Sequence, residues 1–242
     1  MRDLNQEFRD NAHRKYAYTF DYRMHEYMLR TFAPFLPAGR ALELGCYEGA
    51  FTERLAAVYD DLTVVEGASE LLATARSRVG PRVSFVLDRF EHFEPAGRFD
   101  AIFLLHTLEH VDEPVALLRR VGSWLSPAGR LFLAVPNGHA ASRQIAVAIG
   151  RIPHPTAVTE GEALHGHRRT YCAETLARDV TAAGLTTTEA GGIFFKALAN
   201  FQFDTLLERQ IIGDEYLEGC FALGKRYPDL CASIYAICEA GR

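Results

Sequence analysis

Cysteine is scarce. Only five of the 242 residues are cysteine, and Cys46, Cys172, Cys220, Cys231 and Cys238 contain neither a C-x-x-C pair nor a regular spacing. An odd count without a framework argues against a disulfide scaffold and for a reduced chain of the cytoplasm. Long apolar runs are missing too. AIFLL at 101–105 is among the longest, far short of the roughly 18 residues that a membrane span needs. The opening MRDLNQEFRD carries no apolar core of a signal peptide. Internal repeats and low-complexity tracts are absent. Positive charge is not in excess: 26 Lys and Arg against 31 Asp and Glu leave a formal net charge of −5. Such a balance disfavours general binding to nucleic acid or to an anionic membrane. What remains is ordinary globular composition, 48% hydrophobic and 24% charged. The length suits one large domain, or one domain with a cap.

The first forty residues are rich in aromatic and charged side chains. Tyr22, Tyr27, Met28, Leu29 and Phe32 recur at helical spacing. That pattern predicts one or two amphipathic helices ending near Pro34 and Pro37, a helical cap over 1–39. From Arg40 short apolar runs alternate with amphipathic stretches. Strands are expected at 40–45, 61–67, 82–88, 99–106 and 129–137. Helices are expected after Gly49, over 69–79 with Ser69 as its cap, and over 113–125 with Pro114 in the first turn. This alternation predicts βαβ units: an α/β fold, doubly wound, with a mostly parallel sheet between two layers of helices. The segment 138–171 breaks the rhythm. A short helix over ASRQIAVAIG is followed by a stretch holding His154, Glu160, Glu162, His165 and His167 among prolines and glycines. It reads as a lid inserted in a domain spanning 40–242. A helix at 173–183, a strand at 185–195, a helical stretch over about 200–222 and a last strand at 231–239 complete the chain.

The strongest local pattern is ALELGCYEGAFTERLA at 41–56, a strand, a glycine-bearing turn and a helix. Gly45 permits a sharp turn and close approach of a ligand to the backbone. Gly49 is placed to start the helix with close packing. The spacing G-x-x-x-G does not fit the dinucleotide fingerprint G-x-G-x-x-G, and no Gly-Lys-Ser/Thr follows as in a P-loop. Glu66 ends the second strand, where an acid in a doubly wound fold accepts from ribose hydroxyls. Asp88-Arg89-Phe90 ends the third. A carboxylate there can accept from an exocyclic amine, and the ring can lie against a base. The pattern asks for an adenosine without a pyrophosphate.

In these residues the chain resembles the class I S-adenosylmethionine-dependent methyltransferases. ELGCYEG is similar to that family's E/D-x-G-x-G-x-G loop, with Tyr47 in place of the middle glycine. LEHV at 108–111 and the His167-Arg168-Arg169-Thr170-Tyr171 run resemble the small-molecule, ubiquinone-biosynthesis-like branch. No N/D-P-P-Y follows the fourth strand, which argues against an amino-group DNA methylase. The resemblance implies a seven-stranded Rossmann-like sheet with an antiparallel last strand and S-adenosyl-L-methionine as cofactor. It implies that Glu43, Gly45, Cys46, Tyr47 and Gly49 hold that cofactor. Glu66 and Gly67, then Asp88, Arg89 and Phe90, and finally Leu105 complete the expected cofactor set. Tyr16, Tyr18, Tyr22 and His25 would cap it from the N-terminal helices.

His106 stands where the fourth strand ends, the edge at which ligands bind in open α/β sheets. His110 follows four residues later. In the lid, His165 and His167 precede Arg168, Arg169 and Tyr171. His106, His110, His165 and His167 are the candidate catalytic residues, His106 being the first choice as base and His165 or His167 the second. Tyr22, Arg168, Arg169 and Tyr171 are the candidate substrate contacts, the arginines being suited to fork onto a carboxylate or phosphate. Glu160 and Glu162 are expected to be solvated. A histidine base suits an oxygen acceptor, because an alcohol or phenol must lose a proton as it is methylated. The expectation is therefore O-methylation of a small polar metabolite, such as a sugar, a surface-polysaccharide precursor or a secondary-metabolite intermediate. An amine acceptor such as an amino sugar is the nearest alternative. His106-Thr-Leu-Glu109-His110 also spells H-x-x-E-H, the inverted zinc-peptidase motif, which needs a regular helix. Tyr47 in the glycine loop leaves a third alternative, a catalytically silent cofactor-binding protein. No resident metal is expected, and the oligomeric state is not legible.

Overall fold

The computed structural model describes residues 4–11 and 18–241. Tyr16 and its expected capping role lie outside them. In chain order the elements are α1 (Leu4–Asn11), α2 (Thr19–Phe32), β1 (Arg40–Leu44), α3 (Ala50–Leu55), β2 (Asp61–Glu66), α4 (Ser69–Val79), β3 (Ser84–Leu87) and β4 (Phe99–Leu105). They continue with α5 (Pro114–Ser123), β5 (Leu125–Pro136), α6 (Ala141–Ala148), α7 (Glu160–Leu164), α8 (Ala173–Ala182), β6 (Leu185–Phe195), α9 (Asn200–Glu208), α10 (Asp214–Gly224) and β7 (Cys231–Ala240).

The strands form one seven-stranded sheet in the order β3-β2-β1-β4-β5-β7-β6. All pairs are parallel except those of β7, which runs antiparallel to both β5 and β6. This is the Rossmann-like architecture expected. A parallel sheet covered on both faces needs strands that are apolar on both sides. β4 meets that demand by alternation. Phe103 packs on one face with Phe20, Phe51, Phe132 and Phe194. Ile102 and Leu104 pack on the other with Leu117, Trp124 and Val180. The strand order reverses at β1, between β2 and β4. The crevice at the carboxyl ends of β1 and β4 is thus the topological switch point, where such folds bind ligands.

Four expectations need correction. The helical stretch at 200–222 is two helices, because the chain turns at Gln210, with φ of 55°, and Gly213. β5 begins at Leu125 rather than 129, since Leu125 already pairs with Phe99 ahead of a register shift. Ser69 is not the cap of α4: Ala68 holds that position without a side-chain bond, and the Ser69 hydroxyl turns to Asn5. Finally, α2 is more than a cap. Its Phe20, Met24, Tyr27, Met28 and Phe32 are buried in the main core.

Candidate active site

The glycine loop leaves β1 at the switch point. Gly45 N donates to Val65 O at 2.9 Å and Gly49 N to Cys46 O at 2.8 Å, closing the turn before α3. Gly45, Tyr47 and Gly49 have φ of 81°, 47° and 79°. Tyr47 thus adopts the left-handed backbone that a glycine takes without cost. The loop takes left-handed backbone at all three positions although the middle one carries a ring. A non-glycine residue pays about 1–2 kcal/mol in this region. Tyr47→Gly is therefore expected to be more stable than Tyr47→Ala by about 1 kcal/mol, read as the difference in denaturant midpoints.

Two acids flank the loop. Glu66 is buried, and its Oε2 and Oε1 accept from Cys46 N at 3.2 Å and Ala68 N at 2.9 Å. Burial raises its carboxyl above the ordinary range, against those backbone donors. Glu43 is buried one turn of the pleat before Gly45 and accepts from Thr52 Oγ1 at 2.6 Å. Burial pushes it up to about 8 despite that bond. Across the crevice, Thr107 Oγ1 donates toward Leu44 O at 3.2 Å and Leu105 O at 3.0 Å, pinning the ends of β1 and β4 together.

His106 leaves β4 with φ of 48°, while its amide still donates to Ala134 O in the sheet. Its Nε2 lies 2.9 Å from Ser233 Oγ on β7. Burial, then the charges of His25, His167 and Lys196, push its imidazole down to about 3. Leu108–His110 form a single 3-10 turn. The H-x-x-E-H letters therefore do not lie on a regular helix, and the ligand-capable cluster found here omits His106. It consists of Glu109, His110 and His167, whose ligand atoms lie within 4.8 Å of one another. The rings of His110 and His167 meet edge to face at 4.6 Å. Glu109 is buried to 1% exposure, and its Oε2 has no hydrogen-bond partner among the described residues. Burial pushes Glu109 up to about 8. One carboxylate and two imidazoles in this arrangement suit proton traffic or a divalent cation.

The segment 138–171, expected as a lid, is held by its own side chains. At its roots Gly138 N donates to Tyr171 O at 2.7 Å. Within it, Arg143 of α6 donates through Nε to Pro155 O at 2.6 Å and through Nη1 to Glu162 at 2.5 Å, and also binds Ala157 O. Glu162 closes a capping box with Thr159 at the start of α7. Arg168 N donates to Glu109 O at 2.8 Å, tying the lid to the 3-10 turn.

A cavity of about 720 Å³ opens over these groups. Its wall includes Glu43, Gly45, Cys46, Tyr47, Glu66, Gly67, Arg89, Phe90 and Leu105 from the expected cofactor set. It also includes Tyr22, His106, His110, His165 and His167. Five expected residues lie outside this wall. Asp88 accepts from Arg89 N and is not in the cavity wall. Arg168 pairs with Asp112 Oδ1 at 3.2 Å and Arg169 donates to Asp112 O at 3.0 Å, both outside the wall. Tyr171 is a core residue with 1% exposure, its hydroxyl donating to Asp179 at 3.1 Å. Gly49 acts through packing: a Cβ there would lie 2.8 Å from Ala75 Cα. Glu162 is not solvated but faces the cavity, together with Arg143, Lys196 and Ser233, which sequence reading did not single out.

The buried groups set a pH dependence. Glu43 and Glu109, held at about 8, keep protons that an unfolded chain releases above about 4.3. The stability they contribute is complete at low pH and is lost as pH rises through 8. His25 and His106, held by burial at about 4 and 3, refuse protons that an unfolded chain takes up below about 6.5. Their contribution is present above that value and is lost as pH falls. The two effects oppose each other below pH 6.5; from there the carboxyls dominate until, near pH 8 and above, Lys196, itself lowered to about 8, works against them. The ligand-free Tm is expected to decline from pH 6.5 to 8, and Glu109→Gln to flatten the decline; an unchanged slope in that variant would contradict the assignment.

A methyltransferase-domain family model matches residues 13–190. The chain is similar to the ubiquinone biosynthesis O-methyltransferase of Xanthomonas axonopodis pv. citri (strain 306), 37% identical over 117 residues that cover 46% of this chain and 49% of that protein. It thus spans about half the length of the curated relatives it matches. Two solved structures share the fold over nearly the whole chain. The N-methyltransferase NodS of Bradyrhizobium japonicum WM9 with S-adenosyl-L-homocysteine gives a TM-score of 0.62 at 18% identity, covering 98% of this chain and 97% of that one. A possible histamine N-methyltransferase of Thermotoga maritima gives 0.66 at 17% identity, covering 98% and 99%. With the glycine loop and the acid ending β2 inside the matched region, and the seven-stranded topology of the whole chain, the chain belongs to the class I S-adenosylmethionine-dependent methyltransferase family.

Proposed function

We propose that this protein methylates an oxygen of a small polar metabolite, with a histidine taking the acceptor's proton. The observation that carries this reading is that His106 and His167 open into the same cavity as the glycine loop and Glu66. The residues fit the cofactor. Glu66 ends β2 in the cavity wall, held by the Cys46 and Ala68 amides, the position from which an acid accepts from ribose hydroxyls in a doubly wound fold. A Cβ at Gly45 would sit 2.8 Å from Thr107 Oγ1 and 3.4 Å from Phe90 Cζ, so only bare backbone faces the ligand there. The high proton affinity of buried Glu43 suits a partner ammonium, such as that of the methionine end. Phe90 and Leu105 supply apolar walls for the adenine, while Asp88, two residues before Phe90, lies outside the wall. Bound there, the cofactor supplies an electrophilic methyl group for in-line displacement.

The remaining residues handle the acceptor. His106 is held far below the working range by burial, which suits it to orient a hydroxyl by hydrogen bonding, with Ser233 fixing its ring. His167 is the better base. Burial lowers it, but the Glu162 carboxylate works in the other direction and would stabilise the imidazolium. His110 and His165 border it in the cavity wall. Tyr22, whose hydroxyl donates to Glu48 at 3.1 Å, closes the cofactor side.

The test pairs acceptors that differ only in carrying a hydroxyl or an amine, sugars and amino sugars first, and follows release of S-adenosylhomocysteine. With a hydroxyl acceptor, His167→Ala is expected to lower kcat about a hundredfold while leaving S-adenosylhomocysteine affinity unchanged. Equal turnover in the variant would remove His167 as the base, and preference for the amine twin would favour N-methylation. Chelation by EDTA is expected to leave turnover intact. Loss restored by a divalent cation would assign the Glu109, His110 and His167 cluster to a metal instead.

A further inference from the structure

One charged group in the cavity wall has no task in this reaction. Lys196 follows β6, and its backbone is fixed on both sides. Its amide donates to Leu230 O at 3.4 Å, and its carbonyl accepts from Ser142 N at 2.9 Å at the start of the lid helix α6. The Lys196 side chain makes no hydrogen bond or ion pair among the described residues. Its one contact of note is with the Phe20 ring, 5.8 Å from ammonium to centroid. Asp21 and Glu162 act on it through their charge, but both are engaged elsewhere. Asp21 accepts from Tyr18 N at 2.8 Å and Asn200 Nδ2 at 2.7 Å. Glu162 is taken by Arg143 and Thr159. Arg143 is in turn committed to the lid carbonyls.

Lys196 is half-buried in the cavity wall, and an ammonium drawn partly out of water is costly unless it is paired. Burial lowers that of Lys196 to about 8, which still leaves it a cation at neutral pH. Phe20, Met24 and Met28 line the same cavity and give it an apolar wall. We infer that Lys196 recognises an anionic group of the acceptor, so that the substrate is an organic anion, a carboxylate or phosphate on an apolar body. Lysine's compact ammonium pairs with either group as a point charge. The apolar wall requires that the anion be attached to a hydrophobic frame rather than free. The inference rests on the methyltransferase reading and names the substrate class of that same site.

The test uses calorimetry on protein saturated with S-adenosylhomocysteine. The probes are 3-hydroxybenzoate, its uncharged twin 3-hydroxybenzamide, and 3-hydroxyphenyl phosphate. At least one anion is expected to bind, and the amide about tenfold more weakly or not at all, as for loss of one charge-assisted contact. Lys196→Met is expected to lose about tenfold in anion affinity, and Lys196→Arg to retain most of it. Affinity for S-adenosylhomocysteine stays equal in all three proteins. The stronger of the two anions identifies the group that is read. Equal binding of acid and amide, an unaffected Lys196→Met variant, or no binding of either anion to wild type overturns the inference. Failure of S-adenosylhomocysteine itself to bind wild type would overturn the cofactor reading first.

Discussion

Glu66→Ala is expected to weaken binding of S-adenosylhomocysteine by about three orders of magnitude. The carboxylate ends β2 at the switch point, buried to 8% exposure, at the position from which an acid accepts from ribose hydroxyls. Hydrogen bonds to a charged group contribute about 1.5–3 kcal/mol each. Two of them together correspond to about a thousandfold. The variant also leaves the Cys46 and Ala68 amides without their acceptor, which loosens the glycine loop that the cofactor must meet. Glu66→Gln keeps the shape and one acceptor oxygen, so it should fall between wild type and alanine. Calorimetric titration reads all three. A change below tenfold in Glu66→Ala would mean that the ribose lies elsewhere.

Gly49→Ala is expected to cost about 3 kcal/mol of stability, from left-handed strain of about 1–2 kcal/mol and overpacking of about 1–3 kcal/mol. The methyl would meet Ala75 at 2.8 Å, and its nearest neighbours include the Cα itself, so no side-chain rotation relieves the contact. For a domain of this size that loss corresponds to a fall in Tm of roughly 6–12 °C. Ala75→Gly in the same chain removes the Cβ that also lies 2.8 Å away but not the backbone contact. The double variant should therefore recover only part of the loss. Thermal unfolding of the two single variants and the pair measures this. A Gly49→Ala protein as stable as wild type would show that α3 can shift away from α4.

The sheet was legible because strands buried on both faces read as short apolar runs between amphipathic stretches. The glycine loop and Glu66 were legible because strand, turn and acid lie in local order, and Tyr47 keeps the loop's left-handed turn. Distance along the chain hid the rest of the cavity. Lys196 follows β6 and Ser233 lies in β7, and no local pattern separates them from other surface letters. Glu162 reads as solvated until Arg143, nineteen residues earlier in the numbering, turns it inward. Tyr171 and its two neighbouring arginines look like a substrate set. The bridge between Asn137 and Tyr171 instead directs the ring into the core, and Asp112 takes the arginines. Gly213 was a visible signal for the break between α9 and α10.

The most direct measurement is a titration of S-adenosylhomocysteine into the cofactor-free wild-type protein by calorimetry. Saturable binding at one site per chain, abolished in Glu66→Ala, is the expected result. Absence of saturable binding to folded wild-type protein would contradict a cofactor site at the β1–β4 switch point, and with it the methyl transfer proposed there.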